Sequence, residues 1–100
     1  MTDTEIELII QEKGLTAPRL TPEWIDGVII EEDYHHFKNT NLTVCCLILK
    51  NGFAVTGESY CVSAENFNQE LGQQIARKNA VEKIWMFEGY LLKEYLYENS

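Results

Sequence analysis

The sequence predicts an α+β fold made of short N-terminal helices, one antiparallel β-hairpin and one long C-terminal helix. Two observations lead to this class. An Asn-Gly pair separates two runs rich in β-branched and apolar residues, and a helical apolar period covers about the last third of the chain. With 100 residues, of which 45% are hydrophobic, the chain is expected to fold as one α+β domain over residues 1–100.

The N-terminal region begins with a predicted short helix. Thr4 and Glu7 have the spacing of a capping box, and Gly14 provides a C-terminal stop. Between them, apolar residues recur at near-helical spacing at Ile6, Ile9 and Ile10. The next segment, LTAPRL, contains a proline and no apolar period. It is predicted to be an extended connector.

A second helix is predicted to begin with Thr21 as its N-cap and Pro22 at its first position. Glu23 is favourably placed in the first turn because the N-terminus of a helix attracts negative charge. The expected buried stripe consists of Ile25, Val28 and Ile29, with Trp24 beside them. This helix is expected to fray near the segment EEDYHHF.

The hairpin is predicted from Leu42 to Cys61, with its turn at Asn51-Gly52. A type I′ turn would place Lys50 opposite Phe53 and continue outward in that register. One face would then carry Leu42, Val44, Cys46, Ile48, Phe53, Val55 and Cys61, and this face is expected to hold the long helix. The other would carry Thr43, Cys45, Leu47, Leu49, Ala54, Thr56, Glu58 and Tyr60. Both faces need cover, because a two-stranded ribbon is marginal in water.

The long helix is predicted from about Ala64 to Tyr97, with Ser63 as its N-cap. Its apolar stripe is expected to comprise Phe67, Leu71, Ile75, Val81, Ile84, Trp85, Leu91, Leu92, Tyr95 and Leu96. The stripe widens toward the C-terminus to about half the circumference, more than one hairpin can cover. The sequence therefore predicts self-association, as a homodimer or a larger assembly. Gly89 is expected to mark a bend or a close approach of another backbone.

Charge is unevenly distributed along this acidic chain. Its formal net charge is −8, and residues 1–33 contain nine acidic and two basic residues, which leaves −1 for the remainder. This balance disfavours direct binding to nucleic acid or to an anionic membrane, both of which need basic residues. No apolar run has the length of a membrane span, and the first residues are acidic where a signal peptide would be basic. A cytoplasmic location is therefore expected.

The common catalytic patterns are missing from the sequence, so enzymatic activity, a metal and a cofactor are not expected. Helical spacing pairs Glu31 with His35 and Glu32 with His36, but no further ligands accompany them, and a solvated helix end is favoured over a metal site. Cys45 and Cys46 are neighbours inside an apolar run. They are interpreted as reduced core thiols rather than nucleophiles.

Two surfaces are candidates for binding. The first combines the polar end of the hairpin with the densest basic group, in case they converge on a ligand: Thr56, Glu58, Ser59, Tyr60, Arg77 and Lys78. The second is the acidic set Glu23, Glu31, Glu32 and Asp33, which is interpreted either as solubilising or as complementary to a basic host protein.

Three segments, in this order, resemble a family of small phage proteins named after gene product 49 of coliphage N-four and gene 66 of a Shigella phage. They are KGLTAPRLTPEWI (Lys13 to Ile25), LKNGFAVTGESYCV (Leu49 to Val62), and the last helix with IARKNA, KIW and EGYLLKE. The resemblance implies a protein encoded by a tailed phage or prophage and made in the host bacterial cytoplasm. It carries over no catalytic residues.

The leading functional hypothesis is a non-enzymatic, oligomeric accessory protein that binds and modulates a host component, either host defence or host nucleic-acid machinery. Small size, the acidic N-terminal third and the resemblance to phage proteins support it. Two alternatives stay open. One is a protein that sequesters a small ligand or a nucleotide, and the other is a minor structural or scaffold-type phage protein.

Overall fold

A computed structural model describes residues 1–15 and 17–100. The helices are α1 (Asp3–Glu12), α2 (Pro22–Gly27) and α3 (Gln69–Glu98), and a 3-10 turn (Ala64–Asn66) precedes α3. The strands β1 (Ile29–His36), β2 (Leu42–Leu49) and β3 (Ala54–Tyr60) form an antiparallel sheet in the order β1-β2-β3. The predicted α+β class is confirmed, with three strands where the sequence predicted two.

The core lies between α3 and one face of the sheet. Helix α3 packs across β2 and β3, and α2 closes the end of this layer nearest the hairpin turn. The buried apolar residues alternate along β2 and recur every fourth residue along α3, because these are the periods of a strand and a helix. They are Ile25, Val28, Cys45, Leu47, Leu49, Val55, Ala76, Ala80 and Ile84.

Strand β1 is the main difference from the sequence prediction. The second helix does not continue into EEDYHHF; it ends at Gly27, and β1 pairs with the outer edge of β2 from Ile29 to His36. An unpaired edge of β2 would leave a row of backbone donors and acceptors without partners, and this requirement outweighs the weak helical pattern. Glu31 and His35 therefore lie four residues apart on a strand, roughly 13 Å. Helical metal-ligand spacing does not apply to them.

The hairpin lies where it was predicted, but its register differs by one residue. The loop has three residues, because Leu49 N donates to Phe53 O at 2.8 Å and Gly52 takes the positive φ of 88° while Asn51 does not. Such a loop closes around a type I turn rather than the predicted type I′ turn. Leu47 consequently pairs with Val55 and Cys45 with Gly57.

The register change moves β3 relative to the predicted faces of the sheet. Val55 and Gly57 join the alternate residues of β2 beneath α3, so the helix covers the face that was expected to lie on its far side (Thr43, Cys45, Leu47 and Leu49). The predicted helix-bearing face, with Leu42, Val44, Cys46 and Ile48, is the opposite one. A slip of one residue exchanges faces because side chains alternate along a strand.

The short helices begin at polar caps. The capping box of α1 uses Thr2 and Glu5 rather than Thr4 and Glu7, and Glu7 instead binds Arg19, with Nη1 to Oε1 at 2.6 Å. Thr21 caps α2 and Pro22 is its first residue, as predicted. Ile25 and Val28 are buried, whereas Trp24 is exposed and Ile29 belongs to β1. Thr16 of the predicted connector lies outside the described residues.

Helix α3 starts later than predicted, with Asn68 as N-cap in place of Ser63. Its sheet-facing stripe is made of small residues, Gly72, Ala76 and Ala80, followed by Ile84. The predicted early stripe is wrong for Leu71 and Ile75, which are largely exposed. Small side chains let the helix approach β3 closely, and Gly57 is the point of contact, since a Cβ there would overlap the backbone of Ala76 and Ala80.

Gly89 is not a point where another segment of the chain's backbone approaches α3 closely, as the sequence had suggested. A Cβ at this position would lie 3.9 Å from Leu20 Cδ1, which is an ordinary van der Waals distance to a side chain. Residues 69–98 form one uninterrupted helix through it. The position of close backbone approach is therefore Gly57 on β3, not Gly89 on α3.

Candidate functional site

The sheet face that α3 does not cover is the most distinctive surface of the described chain. Its centre is an apolar row along β2, formed by Leu42, Val44, Cys46 and Ile48, which are all half-buried. Polar residues border this row on both sides, namely Glu31, Asp33 and His35 on β1, and Thr56, Glu58 and Tyr60 on β3. These residues, together with Ala54, are called the open face below.

Carboxylates lie directly beside the apolar row on each flank. Glu31 is the cross-strand partner of Ile48, Asp33 is the partner of Cys46, and Glu58 is the partner of Val44. Within the described residues, the two ion pairs use Glu7 and Glu32, so the open-face carboxylates are not neutralised by internal cations. The open face therefore combines an apolar centre with negatively charged borders.

The candidate ligand surface predicted from the sequence is divided among different sides of the chain. Thr56, Glu58 and Tyr60 lie on the open face, whereas Ser59 pairs with Thr43 and points toward the α3 side. Arg77 and Lys78 line a cleft of about 420 Å³ with Asp26 and Trp85, next to α2. The fold of the single chain does not bring these six residues around one pocket.

Glu58 is held by two contacts at the β3 edge. Thr56 Oγ1 donates to Glu58 Oε1 at 3.3 Å, and Asn79 Nδ2 of α3 donates to the Glu58 carbonyl oxygen at 2.8 Å. The second bond ties the edge of β3 to the helix, which fixes the position of the backbone that carries the carboxylate. The open-face border on this side is therefore fixed relative to α3.

The predicted acidic surface is also divided by the alternation of β1. Glu31 and Asp33 point to the open face, Glu32 points to the α3 side, and Glu23 lies on the exposed first turn of α2. The sequence groups these four residues as one acidic surface, and the structure does not bring them together. On a strand, Glu31 and Asp33 share the open face with Glu58, which the sequence assigned to the other candidate surface.

Glu32 instead organises a small polar network beneath β1. Arg77 Nε donates to Glu32 Oε2 at 3.0 Å, and the Tyr34 hydroxyl donates to Glu32 Oε1 at 3.1 Å. The Arg77 hydrogen bond lowers the pKa of Glu32. Burial raises the pKa of Tyr34 to about 12 and also raises the pKa of the Cys45 thiol. A raised thiol pKa opposes formation of the thiolate that a nucleophile needs.

Replacing Arg77 with alanine is expected to lower the free energy of unfolding at pH 7 by about 0.5 kcal/mol, since solvent screens this partly exposed pair. Folding depresses the Glu32 pKa from its usual 4.5. The stabilisation is therefore complete above the unfolded pKa and is lost as pH falls through the folded one. Urea unfolding at pH 7 and about pH 3 should show a deficit that shrinks in acid.

Lys78→Ala is the matched control, because it gives the same gain in helix propensity and removes a neighbouring positive charge without breaking the Glu32 bond. Its unfolding free energy should differ little from that of the wild type at either pH. A deficit for Arg77→Ala that is as large in acid as at neutral pH would mean that Arg77 stabilises the fold by packing rather than by charge.

The sequence profile of the phage protein (N4 Gp49/phage Sf6 gene 66) family matches residues 20–96. The chain belongs to this family. The matched region includes α2, all three strands and nearly all of α3, so the open face is built entirely from the part that the family shares. No curated protein and no solved structure matches the chain.

Two structural findings bear on the classes of site that this family member could carry. Among residues 1–15 and 17–100, no three His, Cys, Asp or Glu side chains are grouped closely enough to hold a metal ion. None of the helices in the same described residues combines the length and apolar character needed to cross a membrane.

The apolar row along β2 is the surface that the sequence predicts for the long helix, and this prediction is wrong. Apolar residues on both sides of the strand indicate that two surfaces need cover. The sequence did not show the one-residue shift in register, which brings Cys45 and Leu47 to the side of Gly57 and Val55. Helix α3 packs on that side, where Gly57 has no side chain to block the helix backbone.

Proposed function

We propose that this phage protein acts without catalysis, by binding a basic host protein in the bacterial cytoplasm through its open face. The observation that carries the proposal is the apolar row of β2 between negatively charged borders. Apolar contact supplies affinity in such an interface, while complementary charge at its edges steers association and selects the partner. Modulation of host defence would follow from occupying a surface that the host partner needs.

The dimensions of the open face define the shape of the bound element. Neighbouring strands lie about 4.8 Å apart, so the two bordering strands are separated by roughly 10 Å. An α-helix with its side chains is about 10–12 Å wide. One helix laid along β2 would therefore place its apolar stripe on the central row and its flanks beside Glu31, Asp33 and Glu58.

The charge of the open face defines the chemistry of that helix. Three carboxylates without internal cations favour lysine or arginine on both flanks of the partner's apolar stripe. The chain's own longer helices are not basic: α1 carries four acidic residues and no basic residue, and α3 carries five acidic residues and four basic ones. The preferred occupant is thus a basic amphipathic helix of a host protein rather than a second copy of this chain.

Charge reversal on the open face is expected to abolish host-protein capture. The test variant is Glu31→Lys/Asp33→Lys/Glu58→Lys, and the matched control is Glu12→Lys/Glu65→Lys/Glu82→Lys, which changes net charge equally at exposed positions elsewhere. Each tagged protein is used to capture partners from host lysate at low and high salt. The wild type and the control should retain a shared basic partner, with weaker capture at high salt, and the open-face variant should lose it.

Identical partner sets for all three proteins would remove the open face from consideration. If the open-face variant loses a partner, the affinity of the wild type for a synthetic helix from that partner is measured next. A true partner must contain a basic amphipathic segment that binds by itself. Native mass spectrometry of the freshly purified wild type tests the alternative of ligand sequestration. A retained small molecule, together with no salt-sensitive host partner, would favour sequestration at a site completed between protomers.

A further inference from the structure

The C-terminal part of α3 extends past the sheet that supports its beginning. A helix of 30 residues is about 45 Å long, whereas a strand of eight residues spans roughly 26 Å. The long dimension of the molecule, 52 Å, reflects this difference. Along α3 toward its C-terminus, the last contact with the sheet lies at the hairpin turn. There the rings of Phe53 and Phe87 meet edge to face with centroids 5.4 Å apart.

The projecting segment is rich in exposed apolar and aromatic side chains. These are Met86, Phe87, Tyr90, Leu91, Tyr95 and Tyr97, and Phe53 of the hairpin turn continues the same surface. Together they expose roughly 850 Å², since a whole large side chain presents about 200 Å². The largest apolar patch of a typical monomer is about 300–600 Å². Each partner in a standard stable interface contributes about 800 Å². This surface is called the α3 patch below.

The α3 patch contains both a groove and a ridge. The groove has a volume of about 630 Å³ and lies between α3 and the hairpin turn, with Leu49, Phe53, Phe87 and Leu91 among its lining residues. The ridge consists of Tyr95, which follows Phe87 and Leu91 at intervals of four residues on the same side of the helix, and its side chain is mostly exposed. A surface that holds both shapes can be complementary to itself.

We propose that a second copy of this chain occupies the α3 patch. In a two-fold arrangement the two helices run antiparallel, so that the tyrosine ridge of each enters the groove of the other. Charge is consistent with this occupant, because the lysines and glutamates in and around the patch are balanced (Lys50, Lys83 and Lys93, Glu88, Glu94 and Glu98). Self-contact at the open face would instead oppose carboxylates to carboxylates. The two surfaces therefore serve different partners and remain available at the same time.

Replacing Tyr90 and Tyr95 with glutamate is expected to convert the assembly into monomers. Both side chains are exposed in the protomer, so their replacement leaves the core intact, while in the assembly it would bury uncompensated charge. Sedimentation equilibrium of the full chain at tens of micromolar should give at least twice the 11.6 kDa chain mass for the wild type. The Tyr90→Glu/Tyr95→Glu variant should give the chain mass itself.

The matched control is Tyr60→Glu/Val62→Glu, which places two charges at exposed apolar positions away from the α3 patch. It should remain assembled. Circular dichroism melting of each variant checks that loss of assembly is not loss of folding. A monomeric wild type at these concentrations would overturn the proposal, as would a folded Tyr90→Glu/Tyr95→Glu variant that remains assembled. So would a wild-type monomer that carries a small apolar molecule in native mass spectrometry.

Discussion

Replacing Gly57 with alanine is expected to lower the free energy of unfolding by about 3 kcal/mol. The added Cβ would overlap the carbonyl oxygen of Ala76 and the backbone nitrogen of Ala80. Both atoms belong to the helix backbone, so no side chain can rotate away, and α3 must shift from the sheet. Because this contact lies in the core between α3 and the sheet, the shift of the helix should destabilise the whole fold. Urea unfolding followed by circular dichroism measures it.

Gly89→Ala is the control for this experiment, because it makes the same chemical change within α3 itself. A Cβ there meets only Leu20 at an ordinary distance, and alanine is a better helix former than glycine by up to about 1 kcal/mol. This variant should therefore be as stable as the wild type or more stable. Equal behaviour of the two alanine variants would show that α3 does not rest on Gly57 as the structure places it.

Features that depend on a few neighbouring residues could be predicted from the sequence. Thr21 and Pro22 correctly mark the start of α2, and the Asn51-Gly52 pair correctly marks the hairpin. The same pair did not distinguish a two-residue from a three-residue loop, since glycine accepts the positive φ that either requires. That one-residue ambiguity was enough to exchange the two faces of the sheet in the prediction.

Features that depend on distant residues could not be predicted in this way. Strand β1 forms because β2 presents an edge to it, and its sequence, with carboxylates on both faces, has little strand character by itself. The open face needs β1 for its Glu31 and Asp33 border, so it could not be assembled from a two-stranded hairpin. By contrast, the excess of apolar residues at the end of α3 is local, and the sequence identified it directly.

Replacing Leu47 and Ile48 one at a time is expected to show which face of β2 holds the core. Leu47 is fully buried under α3, so Leu47→Ala should cost about 3 kcal/mol through lost contacts and a residual cavity. Ile48 lies on the open face and is partly exposed, so Ile48→Ala should cost less, about 1–2 kcal/mol. Thermal and urea unfolding of the two variants measure this difference directly.

The same pair separates stability from binding. Ile48 lies beside Glu31 in the apolar row, so Ile48→Ala should weaken capture of the basic host partner while the protein stays folded. Leu47→Ala should reduce binding only in proportion to the unfolded fraction. The register expected from the sequence alone, with Ile48 beneath the helix, gives the reverse order of stabilities. A larger destabilisation for Ile48→Ala than for Leu47→Ala would therefore contradict both the placement of α3 and the open face built on it.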